Sequence, residues 1–171
     1  MRILLTILAL TISFSAVRSQ TMVEEDKSRP ETSLLATFLS EASMLSLKLE
    51  KAIINGQNIF LTASAGAGYN TEVQVCLAGP CETNPRDFLT LPHHVSLCIG
   101  KGSHYLEAGI GGSLIIGNTD QHYIPYPLVG YRLHPKSAGK LLLRLFFSYP
   151  LVSEMQDIAY FPYGLSIGMS F

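Results

Sequence analysis

Glu107, Arg132 and Arg144 are the side chains of this sequence best placed to act together. Each lies in a run where apolar residues keep one parity and Gly, Ser or a lone ion keeps the other, and each sits on the second parity. Side chains of one parity share one face of a strand, so on neighbouring strands a carboxylate and two guanidiniums can meet as a charge-assisted cluster. Such a cluster either fills the interior of a closed sheet as a lumen ion network or serves as a selectivity or gating element. His94 and Ser96, two residues apart, put a base and a hydroxyl on one strand face. His93 and His94 are adjacent and point to opposite faces, which disfavours a metal pair. Cys76 and Cys81 flank Leu-Ala-Gly-Pro and can close a small loop disulfide. Cys98 shares the parity of Cys76 and offers a cross-strand alternative, and free thiols are the third possibility. There is no Cys-x-x-Cys pair, so neither a zinc site nor a redox pair is expected. No catalytic residue, metal or cofactor is assigned.

The elements that carry these residues alternate with period two. Ile59 to Leu77, Leu89 to Ile99, Leu106 to Ile116, Val129 to Leu133, Leu141 to Leu151 and Tyr163 to Phe171 all place apolar residues at every second position. The opposite parity is not rich in Lys and Glu, as a water-facing sheet would be. It is Gly, Ser and Thr with a few ions, which suits the crowded inside of a narrow barrel. Of the 13 charges after residue 56, only Glu72, Glu107, Arg132 and Arg144 fall within these runs, all on the Gly/Ser parity. That is the distribution a lipid surround imposes, because an Arg or Lys facing lipid at midplane costs about 2–4 kcal/mol. His93 is the exception on the apolar parity. Tyr105, Tyr123, Tyr126, Tyr149, Tyr160 and Tyr163 lie near run ends and fit an interfacial aromatic girdle.

The 171 residues suit one domain, with 47% hydrophobic and only 15% charged residues and a mean hydropathy of +0.27. A net charge of -1 excludes a nucleic-acid binder driven by phosphate neutralisation. Residues 1–19 have a positive start, an apolar stretch and small residues before Gln20, the layout of a cleaved secretory signal peptide. Residues 20–56 carry ten charges and precede all 14 glycines, apart from Gly56 itself. Within them, Leu34, Leu35, Phe38, Leu39, Ala42, Leu45, Leu49 and Ile53 recur at three- and four-residue spacing, which predicts an amphipathic helix after a charged linker. A strand is the alternative: Leu45, Leu47 and Leu49 alternate, and Asn55-Gly56 is a hairpin signal.

The expected architecture is therefore all-β. An antiparallel transmembrane barrel spans residues 57–171, with about eight strands of which six or seven are secure. Seven requires residues 58–77 to fold back at Gly66–Gly68, and residues 44–54 can supply the eighth. Even strand numbers from eight upward are the rule for bacterial single-chain barrels.

The C-terminal residues Tyr163, Leu165, Ile167, Met169 and Phe171 alternate with small ones and end on an aromatic. This resembles the terminal-strand signal of bacterial outer-membrane barrels, and so implies the barrel assembly machinery as a partner. Leu91-Pro92 through Lys101, His104 through Gly112, Val129-Gly-Tyr-Arg132, Leu143 through Ser148 and Pro162 through Phe171 resemble a largely uncharacterised family of small Bacteroidetes-type outer-membrane barrels. Asn58 to Val75 resembles that family's first strand pair. The resemblance implies an outer-membrane location, lipid as surroundings and no reaction. His94-Val95-Ser96 is similar in spacing to the outer-membrane lipid A deacylase barrel. The function expected is structural or interactive, with no enzyme activity evident and an unknown external ligand. The alternatives are a narrow passive pore or transporter, a membrane-embedded lipid-modifying hydrolase, and a secreted soluble β-sandwich or barrel.

Overall fold

The computed structural model describes residues 30–72, 86–119, 121–135, 140–152 and 158–171. These form eight strands: β1 (Thr32–Ser40), β2 (Ser43–Asn55), β3 (Ile59–Thr71), β4 (Asp87–Lys101), β5 (His104–Ile116), β6 (Tyr123–Leu133), β7 (Leu141–Ser148) and β8 (Tyr163–Ser170). Every strand pairs antiparallel with its sequence neighbours, and β1 pairs with β8 to close the barrel. The seam runs from Ser33 opposite Ser170 to Phe38 opposite Leu165. The Thr32 amide donates to the Phe171 carbonyl at 3.3 Å, and the Phe171 amide donates back at 2.9 Å. Closure leaves no strand edge without a partner.

The chemistry of each face follows the pleat. Leu106, Ile110, Val129 and Leu145 point outward and are exposed, while Glu107, Arg132, Arg144 and a series of Ser and Thr residues point inward and are buried. Inward hydroxyls meet over an intervening strand that carries glycine there: Ser40 and Ser148 Oγ lie 2.7 Å apart beside Gly164, and Ser43 Oγ lies 2.6 Å from Thr90 Oγ1 beside Gly68.

Three sequence expectations are corrected. Residues 34–53 form no helix; they lie in β1 and β2, so the barrel begins at Thr32 rather than at residue 57. The outward parity is even in β1 (Leu34, Phe38) and odd in β2 (Leu45, Leu47, Leu49), and this switch across a short turn mimics helical spacing. The alternative held for this stretch is the observed one. Asn55-Gly56 lies at the β2–β3 connection, where the Gly56 amide donates to the Ile59 carbonyl at 3.1 Å. Second, the chain does not reverse at Gly66–Gly68, because β3 runs through both glycines unbroken. Gly66 serves as space instead, since a Cβ there would lie 2.1 Å from the Leu47 carbonyl oxygen and 2.6 Å from the Lys48 side chain. Third, Tyr123, Tyr149 and Tyr163 are exposed, but Tyr105 and Tyr126 have inward parity and are buried, and Tyr160 is half-buried. Cys76 and Cys81 lie outside the described residues; Cys98 is buried and forms no disulfide.

Candidate functional site

Three layers fill the lumen. At one end Phe60, Cys98 and Tyr105 form an apolar plug, with the His134 ring edge-on to Phe60 at 5.5 Å. At the other, under the longer connections, Ala42, Phe88, Ile115, Ile124 and Ile158 form a second, with Val152 and Tyr160 packed against it. Between them lies an ionic layer. Small inward residues make room for it: a Cβ on Gly111 would lie 2.5 Å from the His94 Cβ and 2.9 Å from the Tyr126 ring.

The structure brings together the three ions singled out from the sequence. Arg144 Nε donates to Glu107 Oε2 at 2.7 Å, and Arg132 Nη2 reaches Glu107 Oε1 at 3.4 Å. Sequence reasoning missed the stronger partner of Arg132. Glu50 on β2 accepts Nη1 at 2.6 Å and Nη2 at 2.7 Å, a two-pronged pairing in which each carboxylate oxygen meets its own donor. Lys48 on β2 was missed too, and it donates to Glu41 Oε2. The alternation of Leu47 and Leu49 with Lys48 and Glu50 was the available signal. Aromatic faces complete the cationic environment: the Arg144 guanidinium stacks 4.2 Å from the Phe146 ring centre, and Arg132 lies 5.9 Å from that of Phe60.

Glu41 comes from the β1–β2 turn, where Leu39, Ser40, Glu41 and Ala42 have φ of 51, 123, 56 and 56°. Four consecutive non-glycine residues at positive φ are costly, about 1–2 kcal/mol each in the left-handed region. The surroundings hold them there. The Glu41 carbonyl accepts the Ser113 hydroxyl and, at 3.4 Å, that of Ser43, while the Ala42 carbonyl accepts Asn70 Nδ2 at 2.8 Å. The turn thereby drops the Glu41 side chain into the lumen with no exposure. Burial alone would raise its carboxyl, but Lys48, His94 and Arg144 overcome this and hold it well below the usual carboxylate range. Counting His94 as neutral, the described ionic layer balances: Glu41, Glu50 and Glu107 against Lys48, Arg132 and Arg144.

His94 and Ser96 both point inward and are buried, but they do not engage each other. Ser96 Oγ lies 3.0 Å from Thr62 Oγ1. The hydroxyl beside His94 is Ser64 Oγ, 3.0 Å from Nε2, while His94 Nδ1 lies 3.0 Å from Glu41 Oε1. Ser64 Oγ also lies 3.1 Å from Nδ1, the same nitrogen that faces Glu41, and Glu41 Oε1 makes no hydrogen bond, so the three do not stand in the relay order that activates a nucleophile. All three are buried within the packed ionic layer, and the same carboxylate pairs with Lys48. Outside, His93 is exposed and satisfied locally, with Nε2 3.1 Å from the Tyr123 hydroxyl and its ring stacked on Tyr123. This explains how an imidazole sits on the apolar parity. Lys51, Asp87, Lys101 and His104 also lie on that face and are exposed. Asp87 and Lys101, expected in connections, are the end residues of β4, and His104 opens β5, while Lys51 pairs with Thr32 near the barrel end, where a long stem can reach past the apolar belt. Among the described residues no group of three His, Cys, Asp or Glu side chains is arranged to hold a metal ion.

Tyr163, Leu165, Ile167, Met169 and Phe171 all face outward and are exposed, at and just beyond β8. No protein-family model matches this chain, and no curated protein or solved structure matches it either.

Proposed function

We propose that this chain is a small outer-membrane β-barrel with a structural or interaction role, exported by its leader (residues 1–19), and that it acts neither as an enzyme nor as an open pore. The observation that carries this reading is the apolar outer wall. Large hydrophobic side chains are exposed on all eight strands, with Ile110 at 72% and Leu106 at 69%. A soluble monomer rarely exposes apolar patches beyond a few hundred Å², whereas lipid requires such a belt, and a closed barrel is the sheet that satisfies its backbone there. The same wall disfavours a secreted soluble domain. The filled lumen disfavours a passive pore, since eight strands leave an interior just wide enough for side chains and Arg132, Arg144, Lys48 and Glu41 are fully buried in it. Burial of His94, Ser96 and Ser64 within that lumen disfavours a lipid hydrolase, because an acyl substrate would have to cross the wall. The lipid bilayer is the expected surroundings. The outward residues of β8 would be read by the barrel assembly machinery before β1 closes the seam. Membership of the Bacteroidetes-type barrel family is part of this reading and rests on the motifs quoted above.

Fractionation of expressing cells, with an electrophoretic comparison of boiled and unboiled samples, tests the reading. The protein is expected in the outer-membrane fraction, migrating differently before and after boiling, and silent in planar-bilayer conductance. A soluble periplasmic pool would overturn the membrane reading, and stepwise conductance would overturn the closed lumen.

A further inference from the structure

Glu41 occupies its place as a ligand would. Its two carboxylate oxygens meet separate groups: Oε2 takes the Lys48 ammonium, while Oε1 lies 3.0 Å from His94 Nδ1 and 3.8 Å from Arg144 Nη1. Arg144 Nη1 and Nη2 are fully buried and make no hydrogen bond, nor does Glu41 Oε1, so the site holds an unused donor, Nη1, beside an unused acceptor on this carboxylate. Without Glu41, the layer retains Glu50 and Glu107 against Lys48, Arg132 and Arg144, an excess of one positive charge. Arg132 and Arg144 keep their own carboxylates, so the excess centres on Lys48. Both shape and charge therefore match one carboxylate. The residue that fills the site arrives on the strained turn, not from the barrel wall. Ala42, next to it, belongs to the apolar plug that closes this mouth, so a turn that swings outward opens the mouth and empties the site in one movement.

We propose that Lys48, Arg144 and His94 form a binding site for a small organic carboxylate at the loop-end mouth of the barrel, and that Glu41 is its tethered occupant in the closed state. A free carboxylate entering from the loop side competes with Glu41 and favours the turn-out state by its preference for that state. The site stands on the lumen geometry alone, and its test needs no membrane.

The test uses the full chain folded in detergent micelles, as wild type, Glu41→Ala, Glu41→Gln and the double variant Glu41→Ala/Lys48→Met. Thermal midpoints are compared in sodium formate, sodium phosphate and sodium chloride at equal ionic strength. Glu41→Ala is expected to melt below wild type and to recover by at least about 3 °C in formate over chloride. Wild type, whose site is filled, Glu41→Gln, whose amide occupies the space, and the double variant, whose charge excess is gone, are expected not to respond. If Glu41→Ala does not fold in chloride, Glu41→Gly, which also relaxes the φ of 56°, supplies the same readout. The proposal is overturned if formate moves neither variant, if it moves wild type equally, or if phosphate alone restores the midpoint.

Discussion

Arg132→Met is expected to lower folding stability by about 3–5 kcal/mol, the range for removing one partner of a buried ion pair. Methionine keeps most of the volume, so the loss reports charge rather than a cavity. Arg132 is fully buried and holds Glu50 through two hydrogen bonds and Glu107 through one. With the guanidinium gone, the Glu50 carboxylate is left in a dry layer where an unpaired charge is very costly. Glu107 retains Arg144. Removing Glu50 as well restores the balance of the layer. Arg132→Met/Glu50→Met is therefore expected to be more stable than Arg132→Met alone, a non-additivity that a double-mutant cycle reads directly. Arg132→Lys keeps the charge but loses the fork and should fall between wild type and Arg132→Met. Urea unfolding from micelles gives the values. A cost below about 1 kcal/mol for Arg132→Met would mean that the ionic layer does not hold the barrel together.

Ile110→Arg is expected to cost about 2–4 kcal/mol when the barrel folds into a lipid bilayer, the range for Arg at midplane on a barrel exterior. Ile110 is 72% exposed, paired with Val95 on one side and Pro127 on the other, well inside the apolar belt. On a water-facing surface the same change is usually worth within about 0.5 kcal/mol either way. The sign of the environment is thus read from one outward position without disturbing the lumen. Folding yield and unfolding midpoint in vesicles, against the same variant in short-chain detergent, separate a lipid penalty from a packing defect. An equal, small effect in both would remove the lipid-facing role of this wall.

The strands β3, β4, β5, β7 and β8 were legible because each keeps its parity over eight or more residues, with large apolar side chains on one face and mostly small or polar ones on the other. β6 was read only over Val129 to Leu133, because Pro125 and Pro127 on one face and large inward Ile124, Tyr126 and Leu128 on the other erase the contrast before it. The Glu107, Arg132 and Arg144 cluster was legible for the same reason: parity alone aims all three inward. β1 and β2 were not. Their turn contains no Gly, Pro, Asn or Asp, since Leu39, Ser40, Glu41 and Ala42 adopt positive φ only because Ser113, Asn70 and the mouth cluster hold them there. A turn imposed by tertiary contacts leaves no local mark. Its parity switch turned two strands into an apparent helix, and with them went Lys48, Glu50 and Glu41, half of the ionic layer. The Gly66–Gly68 stretch misled in the opposite direction. Glycine there gives room for Lys48 across the sheet, a requirement set by β2 that local sequence cannot express.

The outward orientation of the greasy wall is best tested with a reporter that the chain lacks, since it contains no tryptophan. Leu145→Trp places one at an exposed position within β7, and Arg86→Trp places one beyond the strands at the loop end. In vesicles whose acyl chains carry bromine, the Leu145→Trp fluorescence should be strongly quenched and that of Arg86→Trp should remain open to aqueous iodide. If the Leu145→Trp signal ignores the brominated lipid and is quenched by iodide, that side chain meets water, and the barrel does not stand in a membrane.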